Sequence, residues 1–154
     1  MEIEIQRLKS EANRQQIFKY IERIEQLYTE IRTSLTEKNL VVIETRVSIL
    51  EQIADYKVTG LLIQTQAGKT LAEIKPAAAS IIVAEGRIDV VGWLGTEYLL
   101  YMLKPRPELG TPLYKGITQD AWYWIEDSYR NRAHRLEKDL LLELITLVSD
   151  YEFD

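Results

Sequence analysis

The longest regular pattern of apolar residues lies near the start of the chain, between Ile17 and Leu35. Its members are separated by four, three, four, three and four positions, which places them on one side of an α-helix. They are Ile17, Ile21, Ile24, Tyr28, Ile31 and Leu35. The pattern predicts a long helix within residues 1–37, and we expect it to start before Ile17 because Ile5 and Leu8 also follow a helical spacing.

Two kinds of packing would bury this apolar stripe. Tyr20, Leu27 and Phe18 flank it, so the stripe is wider than the seam of a two-stranded coiled coil. It also covers fewer than three heptads, and both properties favour packing against a sheet or a helix bundle. A self-associating coiled coil, in which the same six stripe residues make a dimer, is the alternative, and the two are compatible if the helix uses one side for each.

After residue 40 the apolar period changes to two, which is typical of β-strands. The segment Val47–Tyr56 fits either a strand or a short helix. Gly68 lies in a short connection that predicts a hairpin, and three further glycines, at positions 86, 92 and 95, predict turns with positive backbone angles. The predicted strands are 41–49, 58–65, 69–75, 80–83, 87–91, 97–103 and 121–126.

A closing helix is predicted from about Leu136, because Leu140, Leu144 and Val148 recur at helical spacing. Strands in succession between two helices indicate an α+β fold with a largely antiparallel sheet of five to seven strands. We therefore expect a single domain over residues 1–154, with a long helix in 1–37, the sheet in 40–127 and the closing helix in 136–149.

Composition excludes several classes of function. Apolar residues make up 46% and charged residues 28% of the 154 positions, which is typical of a globular domain. No apolar run approaches the roughly 18 residues needed to cross a bilayer, and the N-terminus is charged, so we expect a cytoplasmic protein without membrane contact. There is no cysteine and the single histidine is His134, so thiolate and multi-histidine metal sites are excluded within one chain and no cofactor is predicted.

The negative charge is concentrated at the C-terminal end. The formal net charge is −5, and residues 136–154 carry six acidic but only one basic side chain. The rest of the chain is balanced, so no general attraction for nucleic acid or an anionic membrane is expected.

The segment Gly68-Lys69-Thr70 has the composition of the end of a phosphate-binding loop. Such a loop also needs a glycine where this chain has Ile63, and a helix after it, where this chain predicts a strand. The sequence therefore predicts a hairpin turn there and no nucleotide site.

A metal-dependent nuclease of the PD-(D/E)xK type is one alternative function. In such enzymes two carboxylates hold a divalent cation and a lysine stabilises phosphate charge, and Asp55, Glu73 and Lys75 have the required types and order. Ala54 replaces the usual proline, and Glu-x-Lys is also common on solvent-facing strands.

The last predicted strand and the segment after it hold the candidates for partner binding. Trp122 and Trp124 share one face of that strand, either as core residues or as an exposed aromatic surface. Arginines with aromatics could also bind nucleic acid without cleaving it, although Glu126 and Asp127 favour ion pairing within the protein, in a solvated loop over 127–135 that caps the closing helix. The partner-binding candidates are Trp122, Trp124, Tyr129, Arg130, Arg132 and Arg135.

The C-terminal half resembles an uncharacterised bacterial protein family. The segments that carry the resemblance are Lys69–Pro76, Gly86–Val90, Trp122–Asp127 and Val148–Phe153. The resemblance implies a bacterial, cytoplasmic setting and no catalytic activity.

Because the conspicuous features are apolar stripes and aromatic faces, and residues suited to acid–base or metal chemistry are scattered, we expect a non-catalytic protein-interaction or regulatory domain.

Overall fold

The computed structural model describes residues 5–8, 11–126 and 131–154, with side chains from residue 11 onward. Its described parts form two α-helices, eight β-strands and one short 3-10 turn. In chain order they are β1 (Ile5–Leu8), α1 (Glu11–Thr36), β2 (Val41–Leu50), β3 (Ala54–Gln64), β4 (Thr70–Ala78), β5 (Arg87–Gly92), β6 (Gly95–Met102), the 3-10 turn (Pro107–Leu109), β7 (Ala121–Ile125), β8 (Ala133–Arg135) and α2 (Lys138–Ser149).

All strand pairs in the single sheet are antiparallel. Seven strands follow one path in the order β1-β3-β4-β5-β6-β7-β8, and β2 pairs with β3 along its whole length. The predicted α+β class, with a long N-terminal helix, an antiparallel sheet and a C-terminal helix, is confirmed.

Three local predictions were wrong. Residues 5–8 form a strand paired with β3 rather than the start of the helix, because tertiary pairing overrides a short helical pattern. Residues 80–83 form a turn closed by a single bridge from Ile81 to Ala84, and Ile82 is fully exposed. The segment Ala133–Arg135 is a strand, although it was expected in a loop that caps the last helix.

Helix α1 packs its apolar stripe against the sheet of its own chain. All six stripe residues are at most 3% exposed, and the adjacent Tyr20 and Leu27 are buried with them. The stripe is therefore buried within its own chain, and self-association through these residues stays a prediction. The helix ends at Thr36, and the turn that follows it closes at Asn39, which takes a left-handed conformation with φ of 60° before β2 begins.

Buried tyrosine hydroxyls attach α1 to the strands below it. The Tyr28 hydroxyl donates to the Thr59 carbonyl oxygen at 2.6 Å, and the Tyr20 hydroxyl donates to the Arg87 carbonyl oxygen at 2.6 Å. Tyr56 donates to the Glu51 carboxylate, which also accepts from backbone N–H groups at 2.9 and 3.0 Å. Burial raises the pKa of all three hydroxyls well above the usual value for tyrosine.

The alternation of buried residues changes phase in the middle of β3. Tyr56 and Val58 are buried before Gly60, whereas Leu61 and Ile63 are buried after it. A Cβ at Gly60 would lie 2.6 Å from the Thr45 hydroxyl, so only glycine allows the strands to approach this closely. Both halves of β3 thereby contribute to one core.

Helix α2 covers the same core near β4, β5 and β6, with Leu141, Leu144, Ile145 and Val148 buried. The β5–β6 turn holds its last turn: the indole N–H of Trp93 donates to the Ser149 carbonyl oxygen at 2.7 Å. A Cβ at Gly92 would lie 2.2 Å from the Val148 carbonyl oxygen. Gly92 and Gly86 are thus required for close approach, and only Gly95 among the three turn glycines has the predicted positive φ.

Two of the edge strands, β8 and β2, differ in how they are covered. At β8, the Ala133 N–H donates to the Lys115 carbonyl oxygen at 2.8 Å, so a loop residue caps a strand of only three residues. At the other edge, β2 is ten residues long and pairs only with β3 among the described residues.

Neither α1 nor α2 is long and apolar enough to cross a membrane; this finding covers the described residues only.

Candidate functional site

An open crevice of about 700 Å³ lies between the β7–β8 end of the sheet and the first half of α2. Strand pairing creates its wall, because Trp124 of β7 lies directly opposite His134 of β8 on the face that α2 covers. Leu140 of α2 lines the other side and packs against the core. The crevice thus has an aromatic wall on rigid strands and a helical rim.

Trp124 is half-buried and held in place by two contacts. Its indole N–H donates to the Glu97 carboxylate at 2.9 Å. Its ring lies 5.6 Å from the His134 ring, centroid to centroid, with 33° between the planes. The His134 Nε2 lies 3.0 Å from a carboxylate oxygen of Glu126, which fixes the imidazole in turn. The indole and imidazole therefore form one ordered, partly exposed aromatic wall.

The rim of the crevice is acidic. Four carboxylates and one guanidinium, that of Arg135, lie among the described residues that line it. The carboxylates belong to Glu126, Glu137, Asp139 and Glu143.

Part of this acidity has a structural reason. Asp139 lies in the first turn of α2, where a negative charge stabilises the helix N-terminus. Glu137 precedes that turn and lies 3.8 Å from Arg135. Glu143, in the middle of the helix, is exposed and gains nothing from the helix dipole. Its carboxylate therefore adds a negative charge to the rim that the helix dipole does not require.

The structure separates the partner-binding candidates. Trp122 is 6% exposed, lies under α1 and donates its indole N–H to the Arg23 carbonyl oxygen at 3.3 Å, so it is a core residue. The side chain of Arg135 lies against the Gln119 amide, and Arg132 is exposed beside the Lys115 bridge. Tyr129 and Arg130 lie outside the described residues. Only Trp124 and Arg135, of the six candidates, line the crevice.

The residues of the nuclease hypothesis do not converge. Asp55 lies at the start of β3, whereas Glu73 faces Leu62 near the end of that strand. Seven residue positions separate them along β3, which is roughly 23 Å of strand. Lys75 is exposed and faces Asp89 across β4 and β5. Within the described ranges, moreover, no group of three histidine, cysteine, aspartate or glutamate residues could hold a metal ion.

No family model, no curated protein and no solved structure matches this chain.

Sequence reasoning found Trp124 but missed its neighbours. His134 and Glu126 come together because β7 and β8 form a hairpin, and β8 itself was not predicted. A signal was present in the alternation Trp124-x-Glu126, which places both side chains on one face of β7 and its extension.

Proposed function

We propose that the chain is a non-catalytic protein-interaction domain that binds a positively charged segment of a partner protein in the crevice beside α2. The observation that carries this proposal is the ordered Trp124–His134 wall beneath an acidic rim. Indole is the best aromatic surface for a cation, and nearby carboxylates add direct attraction for lysine or arginine.

The charge of the crevice selects among partner classes. Four carboxylates against one guanidinium repel the phosphates of nucleic acid and attract a basic peptide. The acidic excess of residues 136–154 extends the same field along α2 and the tail. A flexible basic segment is the occupant best suited to an open crevice, because it can place one side chain on Trp124 and others on the rim.

A peptide titration tests this function. The probe is a blocked octapeptide that alternates arginine and glycine, and its counterpart alternates glutamate and glycine; binding is measured by calorimetry at low salt. We expect saturable binding of the arginine peptide only. The double variant Asp139→Asn/Glu143→Gln should weaken it about 10-fold, because two rim charges are removed.

The matched control removes two exposed carboxylates from the outer face of α1, Glu22→Gln/Glu30→Gln, at the same change in net charge. We expect this control to bind as the wild type does. Equal weakening in both double variants would show attraction by net charge alone, and no binding of the arginine peptide by the wild type at about 1 mM would end the proposal.

The resemblance of the C-terminal half favours a bacterial, cytoplasmic protein as the partner, and this setting belongs to the same proposal.

A further inference from the structure

Strand β2 offers an open edge to a second strand. It is ten residues long, and among the described residues only β3 pairs with it. Every second residue of an antiparallel strand directs its N–H and C=O groups to the side away from its neighbour. A long edge of this kind is a template for a further strand, and most proteins shorten or cover such edges. The opposite edge follows that rule, because β8 is short and capped by Lys115.

We propose that β2 pairs antiparallel with β2 of a second copy of this chain, around a two-fold axis at Thr45. The two sheets then join into one continuous sheet. This surface is separate from the crevice beside α2, and the inference does not depend on the proposed function.

Charge complementarity selects a second copy as the occupant. A two-fold axis perpendicular to the sheet keeps each face of one copy on the same side as that face of the other copy. Side chains alternate between the faces along a strand, and two directly opposed residues lie on the same face. The numbers of two opposed residues are therefore both even or both odd, and their sum is even. With Thr45 on the axis the sum is 90, and Glu44 of each copy lies opposite Arg46 of the other. Moving the axis by one residue would place Glu44 against Glu44 or Arg46 against Arg46, which is repulsive.

The same register matches the apolar residues. Ile43, which is 41% exposed, lies opposite Val47 of the second copy, and Val41 lies opposite Ile49. Cross-strand pairs of β-branched residues stabilise a sheet. Pairing would thus bury Ile43 against another β-branched residue, Val47 of the second copy.

Thr45, on the proposed axis, faces its own counterpart. Its hydroxyl oxygen is buried and makes no hydrogen bond within the described residues. It lies over Gly60, so a rotation about χ1 toward the edge sacrifices no existing hydrogen bond. Threonine pairs across strands can hydrogen-bond to each other, and pairing would supply the missing partner.

The contact between α1 and β2 is compatible with this arrangement. Arg32 Nη2 donates to Glu44 Oε1 at 2.6 Å, and a carboxylate can accept from two guanidinium groups through its two oxygens. Glu44 would thus lie between Arg32 of its own chain and Arg46 of the second copy.

Charge reversal tests the register. Sedimentation and native mass spectrometry should show a dimer for the full wild-type chain. Arg46→Glu places Glu44 opposite a glutamate, and Glu44→Arg places Arg46 opposite an arginine, so we expect each variant to raise the dimer dissociation constant about 10- to 100-fold. An equimolar mixture of the two single variants restores both attractive pairs, and we expect a heterodimer in the mixture only.

Circular dichroism establishes that each variant is folded, and the Glu44→Arg/Arg46→Glu double variant adds a check within one chain, because it should dimerise again. A wild-type chain that is monomeric at about 0.1 mM would overturn the proposal. So would a wild-type dimer that survives both single reversals, since it would then be formed by another surface.

Discussion

The two helices cover the same face of one sheet, but they do so differently. The apolar stripe of α1 is buried completely, because its residues are at most 3% exposed. The hydroxyl groups of Tyr20 and Tyr28 also donate hydrogen bonds to strand carbonyl groups. Helix α2 is open along one flank, where Trp124 and His134 remain partly exposed beneath carboxylates.

This difference suggests that α1 contributes mainly to the stability of the fold, whereas the surroundings of α2 contribute to binding. The polar groups of Tyr20 and Tyr28 are used up in internal hydrogen bonds, so substitutions along α1 should act on the free energy of unfolding alone. The polar groups around α2 face solvent, so conservative substitutions there can change binding while the fold persists. The following predictions test that division.

Alkaline pH should produce the largest effect, and it acts through Tyr20 and Tyr28 of α1 and through Tyr56 of β3 beneath it. The pKa values of Tyr20, Tyr28 and Tyr56 are raised by burial, so above about pH 10 the unfolded chain ionises these groups while the folded chain keeps them protonated. The unfolded state then binds fewer protons, and the free energy of unfolding falls as pH rises. Each group contributes about 1.4 kcal/mol per pH unit, and the three together about 4.

Urea unfolding between pH 8 and pH 12, followed by far-ultraviolet circular dichroism, measures this slope. The Tyr28→Phe variant should lose about a third of it, because one of the three groups is gone. A free energy of unfolding that stays constant to about pH 12 would contradict the role assigned to these hydroxyls.

Shortening a buried side chain at the centre of α1 should have the next largest effect on the free energy of unfolding. Ile24 is fully buried, so Ile24→Ala should lower the free energy of unfolding by about 2–5 kcal/mol, and Ile24→Val by about 0.5–1.5 kcal/mol. The matched change on α2, Leu147→Ala, removes a side chain that is 52% exposed and should cost less than about 0.5 kcal/mol. Similar losses for Ile24→Ala and Leu147→Ala in urea titrations would remove the distinction between the helices.

A substitution at the attachment of α2 should cost less than Ile24→Ala. Gly92→Ala introduces a Cβ 2.2 Å from the Val148 carbonyl oxygen, and overpacking of this kind costs about 1–3 kcal/mol. The hydrogen bond from Trp93 to Ser149 should weaken with it, which tryptophan fluorescence reports. Unchanged stability together with unchanged emission would mean that the β5–β6 turn does not fix the helix.

Much of the fold follows from periodicity. The α1 stripe, the hairpin around Gly68 and the apolar face of α2 are strong local patterns, and each of them forms the predicted element. The strands β1 and β8 are only four and three residues long, and their pairing depends on β3, β7 and Lys115. These partners lie outside the short strands themselves, so the local sequence pattern of β1 or β8 does not predict the pairing.

The candidate site was less predictable than the fold. Trp124 was recognised because strand alternation gives its face, but Trp122 shares that face and is buried by α1, which alternation cannot distinguish. The acidic rim depends on how α2 lies against β8. That arrangement is set by Gly92 and the β5–β6 turn, far from the crevice in sequence.

The capped β8 edge limits how copies of this protein can assemble. Gly116, with φ of 96°, brings the loop so close to β8 that a Cβ there would lie 2.5 Å from the Ala133 carbonyl oxygen. Growth of a sheet into a fibre needs two adhesive sides on every unit, and here Lys115 occupies one of them. Because this contact blocks extension of the sheet at β8, it protects a protein with a long bare strand, β2, from polymerisation through both of these strands.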